Sequence, residues 1–448
     1  MPGTLSRVMP QLYERLAKAQ LLEIEGVISR SVGLTLEAKG ISAPIGAICH
    51  IRSKNNPIIE AMVTGFADQR LFLMPLHPID GLEVGAKVVP TSQVMSAPVG
   101  DKLLGRIIDG AGKPLDGRGA LQASGYCSLK GKLCNPLQRQ AITQMLDVGI
   151  KSINALLTVG RGQRLGLMAG SGVGKSVLLG MLARFTAVDV IVVGLIGERG
   201  REVQEFIEHN LGEGLKRSVV VASPADYSPV LRLQGAYMAM TIAEYFRDQG
   251  KQVLLLMDSL TRFSQAQREI ALAMGEPPAT KGYPPSSFSI LPQLIERAGN
   301  GCQDQGSITA IFTVLAEGDD IQDPVVDASR AILDGHIVLS RHLAEMGHYP
   351  AIDIEASISR VMSQVVDSDH RALAINFKKY YALYQENRDL VNMGAYAPGS
   401  NADVDAALQR FPQMNRFLQQ DMFETKPWNE SRALFVQALG ENRALAER

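Results

Sequence analysis

The chain contains 448 residues, of which 46% are hydrophobic and 20% are charged, and its formal net charge at pH 7 is −1. A chain of this length exceeds what one hydrophobic core supports, so we expect two or three domains. The near-neutral charge lacks the basic excess that is typical of nucleic-acid-binding proteins, and we expect no nucleic-acid partner.

Apolar runs and cysteine spacing restrict the cellular setting. The longest apolar run, residues 190–196, is too short to span a membrane, and the N-terminal residues lack the apolar core of a signal peptide. Cys49, Cys127, Cys134 and Cys302 contain no Cys-x-x-Cys pair, and no His-Glu-x-x-His array occurs. We therefore expect a cytoplasmic protein with free thiols and without a structural metal.

The N-terminal part predicts a short helix followed by a small β-barrel. An amphipathic helix is indicated within residues 1–22, where apolar residues recur at helical spacing. These residues are Val8, Leu12, Leu16 and Ala19. Short β-rich runs separated by Gly, Asn and Pro then indicate a barrel domain over residues 23–94. The predicted strands include residues 24–28, 47–52, 61–65 and 70–74.

Residues 95–362 alternate apolar runs with helical patterns, which is typical of a parallel sheet covered by helices. We expect an α/β domain there and a helical domain over residues 363–448, where no strand pattern persists. The predicted strands are residues 190–196, 218–222, 252–257 and 308–315. The predicted helices are residues 202–211, 232–248, 263–274, 371–389, 402–409 and 430–439.

A Gly-rich segment between an apolar run and a helical pattern predicts a phosphate-binding loop. Its glycines let backbone N–H groups converge on phosphate oxygens, and the helix over residues 175–185 directs its positive dipole end at the same anion. We expect the Lys175 amine to reach the β- and γ-phosphates and the Ser176 hydroxyl to bind Mg²⁺. Ala169 replaces the first Gly of the general pattern, and a Gly-rich turn that binds nothing is the alternative. The predicted nucleotide-binding residues of the loop are Gly170, Ser171, Gly172, Val173, Gly174, Lys175, Ser176 and Val177.

Two acidic residues follow predicted strands of the sheet. Ligands of open α/β sheets bind at the carboxyl ends of strands, so both residues are candidates for the site. Asp258 is expected to bind Mg²⁺ directly or through water, and capping of the next helix is the alternative role. Glu198 is expected to orient and polarise an attacking water. Arg199 and Arg201 would hold that carboxylate or bind phosphate, and a solvated charge cluster is the alternative.

Two later segments carry weaker signals. Residues 275–288 contain two Pro pairs, so we expect an ordered loop without helix or strand, either facing a partner or forming a rigid surface connection. Within residues 348–361, Tyr349 is a candidate for stacking on the nucleotide base, and core or turn packing is the alternative. Arg360 is a candidate arginine finger for a neighbouring subunit, and an ordinary surface charge is the alternative.

The ordered set of motifs resembles the type III export ATPases, which are relatives of the catalytic subunit of rotary ATP synthases. The resemblance extends over nearly the whole chain and is densest over residues 135–360. Within the family the chain is most similar to the flagellum-specific branch, on residues 32–39, 69–75 and 275–282, with the virulence injectisome ATPases as the alternative. The shared segments are residues 135–139, 154–164, 165–176, 197–203, 258–262, 282–285, 331–336 and 357–360.

This resemblance implies a RecA-like nucleotide-binding core between the barrel and the helical domain, and a homohexamer with ATP sites at the subunit interfaces. By position, Lys175 and Ser176 would bind phosphate and Mg²⁺, and Asp258 would be the strand-end carboxylate. Glu198 would polarise water. Tyr349 would contact the adenine, and Arg360 would contact the γ-phosphate bound by the neighbouring subunit.

The resemblance also implies partners, and ATP hydrolysis that energises protein export at the cytoplasmic side of the inner membrane. A stator-like regulatory protein would bind the N-terminal helix, and the barrel would hold the ring together. A coiled-coil stalk protein would lie in the central channel, lined by residues 275–288. Export-gate membrane proteins and chaperone–substrate complexes are the remaining expected partners.

Other protein classes make different demands. A rotary ATP synthase subunit usually carries an acidic patch in its helical domain, whereas residues 384–391 are of mixed charge. A hexameric RNA translocase would need basic and aromatic residues clustered in the barrel, and we find no such cluster in the sequence. A nucleotide-binding scaffold without activity is disfavoured because Lys175, Glu198 and Asp258 are all present.

Overall fold

The computed structural model describes residues 24–53, 57–131, 134–316 and 323–440. The amphipathic helix predicted within residues 1–22 lies outside these ranges. The chain divides into two compact units, one that ends at Met95 and one that begins at Ser96. Of the helices in the described ranges, none is long and apolar enough to cross a membrane.

The first unit contains a closed antiparallel barrel, as the sequence predicts. Its strands are β1 (Gly26–Val32), β2 (Thr35–Lys39), β3 (Ala47–Arg52), β4 (Ile59–Ala67), β5 (Arg70–Pro75) and β6 (Lys87–Val94). They lie in the order β1-β2-β5-β4-β3-β6. Successive strand residues point to opposite faces, so alternate side chains fill the interior. Leu36, Ile51 and Leu73 are fully buried there.

A nine-stranded sheet forms the centre of the second unit. The strands of this unit are β7 (Ser96–Val99), β8 (Ile107–Ile108), β9 (Gly125–Ser128), β10 (Met145–Leu146), β11 (Val159–Gly160), β12 (Arg164–Ala169), β13 (Val190–Ile196), β14 (Ser218–Ser223), β15 (Gln252–Asp258), β16 (Gly299–Asn300), β17 (Ser307–Leu315), β18 (Gly335–Leu339) and β19 (Ile352–Ser359). The sheet order is β19-β18-β12-β17-β15-β13-β14-β8, with β16 paired to β17 off this path. All neighbours along the path are parallel except β18 and β19. Burial on both faces explains why the central strands are predominantly apolar.

Helices cover the sheet and form the C-terminal part of the chain. They are α1 (Lys151–Leu156), α2 (Lys175–Phe185), α3 (Gly200–Glu205), α4 (Pro229–Asp248), α5 (Leu260–Ala273), α6 (Ser286–Ile295), α7 (Pro324–Ile332), α8 (Arg341–Glu345), α9 (Met362–Val365), α10 (Ser368–Asn392), α11 (Ala402–Leu418) and α12 (Trp428–Leu439). The predicted helix over residues 175–185 and the predicted strand over residues 190–196 are confirmed at both ends. The parallel α/β core and the helical C-terminal part are therefore as predicted.

The C-terminal helices share one hydrophobic core with the sheet. Phe377 on α10 and Phe435 on α12 are fully buried, and their ring centroids lie 5.5 Å apart. The same cluster continues without interruption to Leu167 on β12 and Leu182 on α2. Because the two parts bury the same apolar surface, the helices support the edge of the sheet on which the phosphate loop lies.

The Pro-rich segment of residues 275–288 is not a loop throughout, and the expectation was wrong at its end and at Thr280–Gly282, which form a short 3₁₀-helix. Helix α6 begins at Ser286, so the last three residues of the segment are helical. Pro285 directly precedes this helix. Proline disrupts helix interiors but fits helix starts, where its fixed φ is favourable and the missing N–H has no partner to lose.

Several other elements differ from the prediction, among them helix α11, which extends to Leu418 and not only to residue 409. The helix expected at residues 202–211 begins at Gly200 and continues as a π-helix over Phe206–Leu211. Strand β19 was not among the predicted strands, because Asp353 and Glu355 interrupt its apolar residues. The structure places β19 at the edge of the sheet, where such side chains reach solvent.

Candidate active site

The phosphate loop lies at the carboxyl edge of the central sheet. It connects β12 to helix α2, which begins at Lys175 with Gly174 as its N-cap. Gly172 and Gly174 have φ angles of 77° and 90°, in the left-handed region that glycine adopts without strain. The Val173 side chain is buried in the core, so only the backbone of this residue is available to a ligand.

A polar cavity of about 500 Å³ extends along this loop. Ser176 is exposed to it, and Arg262 and Arg341 add positive charge to its wall. The predicted site residues that line it are Gly170, Ser171, Gly172, Gly174, Lys175, Ser176, Val177, Glu198 and Arg199. A helix N-terminus, a glycine-rich loop and several cations converge on this space, and this combination suits a polyphosphate.

Three of the predicted catalytic and metal-binding side chains contact one another beside the cavity. Lys175 Nζ lies 2.7 Å from both carboxylate oxygens of Asp258 and 3.4 Å from Glu198 Oε1. β13 and β15 are neighbours, so the ends of these two strands bring Glu198 and Asp258 together. The Asp258 side chain is only 5% exposed, and Thr313 Oγ1 donates a hydrogen bond of 2.5 Å to its Oδ1.

The burial of these charges changes their ionisation. Burial raises the pKa of Glu198 to about 7, and the negative charge of Asp258 adds to this rise while the Lys175 ammonium opposes it. Burial alone would lower the pKa of Lys175, but the charges of Asp258 and Glu198 outweigh it and raise that pKa. Lys175 therefore stays protonated, and Glu198 changes its charge near neutral pH.

A second, more apolar cavity of about 730 Å³ adjoins the first. Both cavities are lined by Gly172, Gly174 and Val177 of the loop. Tyr349 is 48% exposed and lines the second cavity, and a Cβ atom on Gly174 would lie 3.5 Å from the Tyr349 ring. Met181 from helix α2 completes an apolar surface of the kind that holds a nucleoside base.

The chain segment that follows α11 forms the far wall of this second cavity. Gln419 and Gln420 both line it. The Gln420 backbone N–H donates to the Tyr349 carbonyl at 3.0 Å, and its side-chain oxygen accepts from the Lys151 N–H at 2.9 Å. The segment after α11 thus helps to position the backbone of Tyr349 in the candidate base site.

Arg360 lies at the opposite edge of the sheet from the phosphate loop. Ser359 pairs with Gly335 at the start of β18, whereas Leu339 at the end of β18 pairs with Ile352. Arg360 is exposed, and its Nη2 lies 3.4 Å from the Arg330 carbonyl oxygen. The structure therefore does not bring Arg360 to the nucleotide cavities of its own chain.

The two arginines after Glu198 are exposed and belong to ion pairs on helix α3. Arg199 Nη1 lies 3.1 Å from Glu202, and Arg201 Nε lies 3.3 Å from Glu205. Arg199 lines the polar cavity and its side chain is 82% exposed, so exchanging its ion pair with Glu202 for a bound anion would cost little.

Sequence reasoning did not select several residues of this site. Thr313 lies within an apolar strand and approaches Asp258 only because β17 and β15 are neighbours. Arg262 lines the polar cavity and packs closely against Gly197. A Cβ atom added to Gly197 would lie only 2.7 Å from the Arg262 Cβ. One sequence feature could have indicated Arg262 as a site residue: it lies about one helical turn after Asp258, which ends a strand.

Comparisons with known proteins agree with this geometry. Residues 149–359 match the nucleotide-binding domain of the ATP synthase alpha/beta family, residues 28–92 match the beta-barrel domain of that family, and residues 366–437 match the T3SS EscN ATPase C-terminal domain. The flagellum-specific ATP synthase of Pseudomonas aeruginosa is 58% identical over 94% of each chain.

Solved structures give the same assignment. The assembled ATPase EscN from the type III secretion system of enteropathogenic E. coli matches with a TM-score of 0.88 and 42% identity, over 92% of this chain and all of that chain. EscN in complex with its central stalk EscO matches with a TM-score of 0.85 and 41% identity, over the same shares. The chain therefore belongs to the flagellar and type III secretion branch of the ATP synthase alpha/beta family, and it is an ATPase.

Proposed function

We propose that the chain hydrolyses ATP to energise the export of flagellar proteins through a type III secretion apparatus. The observation that carries this proposal is the contact of Lys175 with Glu198 and Asp258 beside two adjoining cavities, one polar and one apolar. The 58% identity to a flagellum-specific ATP synthase supports the flagellar assignment over the injectisome, whose ATPase EscN is 42% identical. The injectisome remains the second candidate function because that structural match spans the whole EscN chain.

ATP binding follows from the arrangement of the two cavities. The polyphosphate would lie along the loop, with its negative charge facing the helix α2 N-terminus and Lys175. The base would enter the apolar cavity against Tyr349. An anion beside Lys175 competes with Asp258 and Glu198 for the same ammonium, so nucleotide binding would loosen that ion pair.

Hydrolysis requires a group that orients and polarises water. Glu198 lies beside the polar cavity at the end of β13, and its raised pKa makes it a better proton acceptor than an ordinary glutamate once it is ionised. Asp258 is held by Thr313 and Lys175 and is almost fully buried, which restricts it to a fixed orientation. We therefore assign proton acceptance to Glu198 and not to Asp258.

The oxygen donors of the site fit a magnesium ion. Ser176 contributes a hydroxyl exposed to the cavity, and the buried Asp258 carboxylate lies beside the cavity in contact with Lys175. Mg²⁺ prefers such hard oxygen ligands together with water and substrate phosphate. When bound, the ion would neutralise phosphate charge.

The position of Arg360 supports a site shared between subunits. Its exposure at the opposite edge of the sheet allows contact with the nucleotide of a neighbouring copy in a ring, where each copy presents one edge to the next. EscN, which is similar over its whole length, was solved as an assembled ATPase and in complex with a central stalk. We propose a homohexamer with a coiled-coil stalk protein in its channel.

The remaining expected partners extend the same proposal. A stator-like protein would bind the N-terminal residues, and export-gate membrane proteins and chaperone–substrate complexes would bind the assembled ring. Through these partners a cytoplasmic ring would associate peripherally with the inner membrane. No nucleic-acid partner is proposed, because the chain carries no basic excess.

Glu198→Gln is expected to bind ATP but to lower kcat by about 100-fold or more, since an amide does not accept the proton from water. Phosphate release measures turnover, and fluorescence of a bound nucleotide analogue measures affinity. Glu205→Gln, on the exposed side of helix α3, is the matched control and is expected to retain activity. A Glu198→Gln protein that turns over like the wild type would exclude the assigned role.

The pH dependence of kcat/KM is expected to report the pKa of Glu198 in the free enzyme. Below about pH 7 the carboxyl is protonated and inactive as an acceptor, so kcat/KM falls about tenfold per pH unit and levels off above that midpoint. The residual activity of Glu198→Gln is expected to lack this midpoint. The same midpoint in both proteins would assign the titration to another group.

A mixture of Lys175→Ala and Arg360→Ala chains is expected to regain ATPase activity that neither has alone. In randomly mixed rings about a quarter of the interfaces combine an intact loop with an intact neighbouring arginine. The matched control mixes Lys175→Ala with the double variant, which restores no interface. Recovery in neither mixture, with mixed rings verified by native mass spectrometry, would contradict action across the interface.

Export activity is expected to be flagellar. Expressed in a bacterium that lacks its flagellar export ATPase, the chain is expected to restore secretion of hook and filament proteins into the medium, measured by immunoblotting. Lys175→Ala is the control and is expected to restore none. Restoration of injectisome secretion alone, in a strain lacking that ATPase, would select the second candidate function.

A further inference from the structure

Two cysteines that are far apart in the sequence meet in the second unit. Cys134 Sγ and Cys302 Sγ lie 3.0 Å apart and are separated by 168 positions in the chain. Both side chains are partly exposed and neither is in a disulfide. A disulfide requires the sulfurs to approach by only about 1 Å further.

The backbone around this pair is already held together. The Gln140 backbone N–H donates to the Gly301 carbonyl, and its side chain donates to the Cys302 carbonyl, both at 3.1 Å. Asn300 Nδ2 donates back to the carbonyls of Gln140 and Ala141 at 3.1 and 3.0 Å. Because these bonds fix the two segments side by side, a bond between the sulfurs requires little rearrangement of the chain.

We propose that Cys134 and Cys302 form a reversible redox site, which a peroxide closes to an intramolecular disulfide and a dithiol reopens. In proteins of reducing compartments, disulfides are usually of this transient kind. The other two thiols differ in setting. Cys49 is fully buried in the barrel, and Cys127 lies on β9, where the structure records no contact with another thiol.

The chemistry balances with hydrogen peroxide as the oxidant. The Cys134 thiolate attacks one peroxide oxygen, the O–O bond breaks, and the departing hydroxide takes up a proton as water. The Cys302 sulfur then attacks the sulfenic sulfur, the S–O bond breaks, and a second water leaves with the Cys302 proton. The two thiols lose two electrons and the peroxide gains them.

The order of the two sulfurs follows from their shared hydrogen bond. This bond raises the pKa of the Cys302 thiol, and burial and repulsion from a Cys134 thiolate act in the same direction. A thiol with a raised pKa retains its proton more readily, so we assign resolution to Cys302 and attack to Cys134.

The disulfide would close a loop that contains most of the candidate active site. Residues 134–302 include the phosphate loop, Glu198 and Asp258, and closing so long a loop restricts the unfolded chain. Neither cysteine lines either nucleotide cavity. Oxidation is therefore expected to raise the melting temperature by about 5 °C or more and to leave kcat within about twofold.

The test uses the full chain, reduced, desalted, treated with hydrogen peroxide, and quenched with N-ethylmaleimide. Digestion without reductant and mass spectrometry are expected to find the Cys134 and Cys302 peptides linked, and the link is expected to disappear with dithiothreitol. Non-reducing denaturing electrophoresis is expected to show the linked protein at the size of one chain. Cys127→Ser is the control and retains the link. In Cys302→Ser, dimedone is expected to trap a sulfenic acid on Cys134, whereas Cys134→Ser gives little adduct on Cys302.

Three results would overturn the proposal. The first is oxidation of Cys127 at a peroxide dose that leaves Cys134 and Cys302 unlinked. The second is equal linkage in urea-unfolded chains, and the third is linkage only between chains. Since these readouts need no nucleotide, they are independent of the outcome for the proposed export function.

Discussion

The ion pair of Lys175 with Asp258 and Glu198 is the interaction on which the candidate site depends. Two carboxylates buried at adjacent strand ends repel each other, and only a cation between them makes the arrangement tolerable. The same ammonium is the group that a polyphosphate would attract. The charge balance therefore couples nucleotide binding to the ionisation of Glu198, because a ligand that draws Lys175 away alters the field at both acids.

The apolar cavity of the site depends on the hydrophobic core that the sheet shares with the C-terminal helices. The C-terminal helices pack on the sheet through Phe377 and Phe435, and the segment after α11 supports Tyr349 through the Gln420 backbone. The polar cavity is built by strand ends, whereas the apolar cavity needs both the sheet and the helices. A displacement of the helices would thus alter the base site before it altered the phosphate site.

Much of the fold and part of the site are predictable from local patterns. The helix over residues 175–185 and the strand over residues 190–196 are predictable because a glycine-rich loop precedes the helix and an apolar run forms the strand. The start of α6 was missed because proline was taken as a helix breaker without regard to its position. Thr313 was missed because its contact with Asp258 depends on strand order, and strand order is not a local property. The proximity of Cys134 and Cys302 likewise arises only from the tertiary fold.

The position of Arg360 has a consequence for how such an enzyme behaves when it is dilute. Each chain carries the phosphate loop at one edge of its sheet and the proposed arginine at the other. It would therefore contribute to two different nucleotide sites, and no single chain would contain a complete site. Activity per chain would then increase steeply with protein concentration, instead of staying constant. Newly made chains would hydrolyse little ATP until their local concentration was high enough for assembly. ATP would then be consumed mainly by assembled rings.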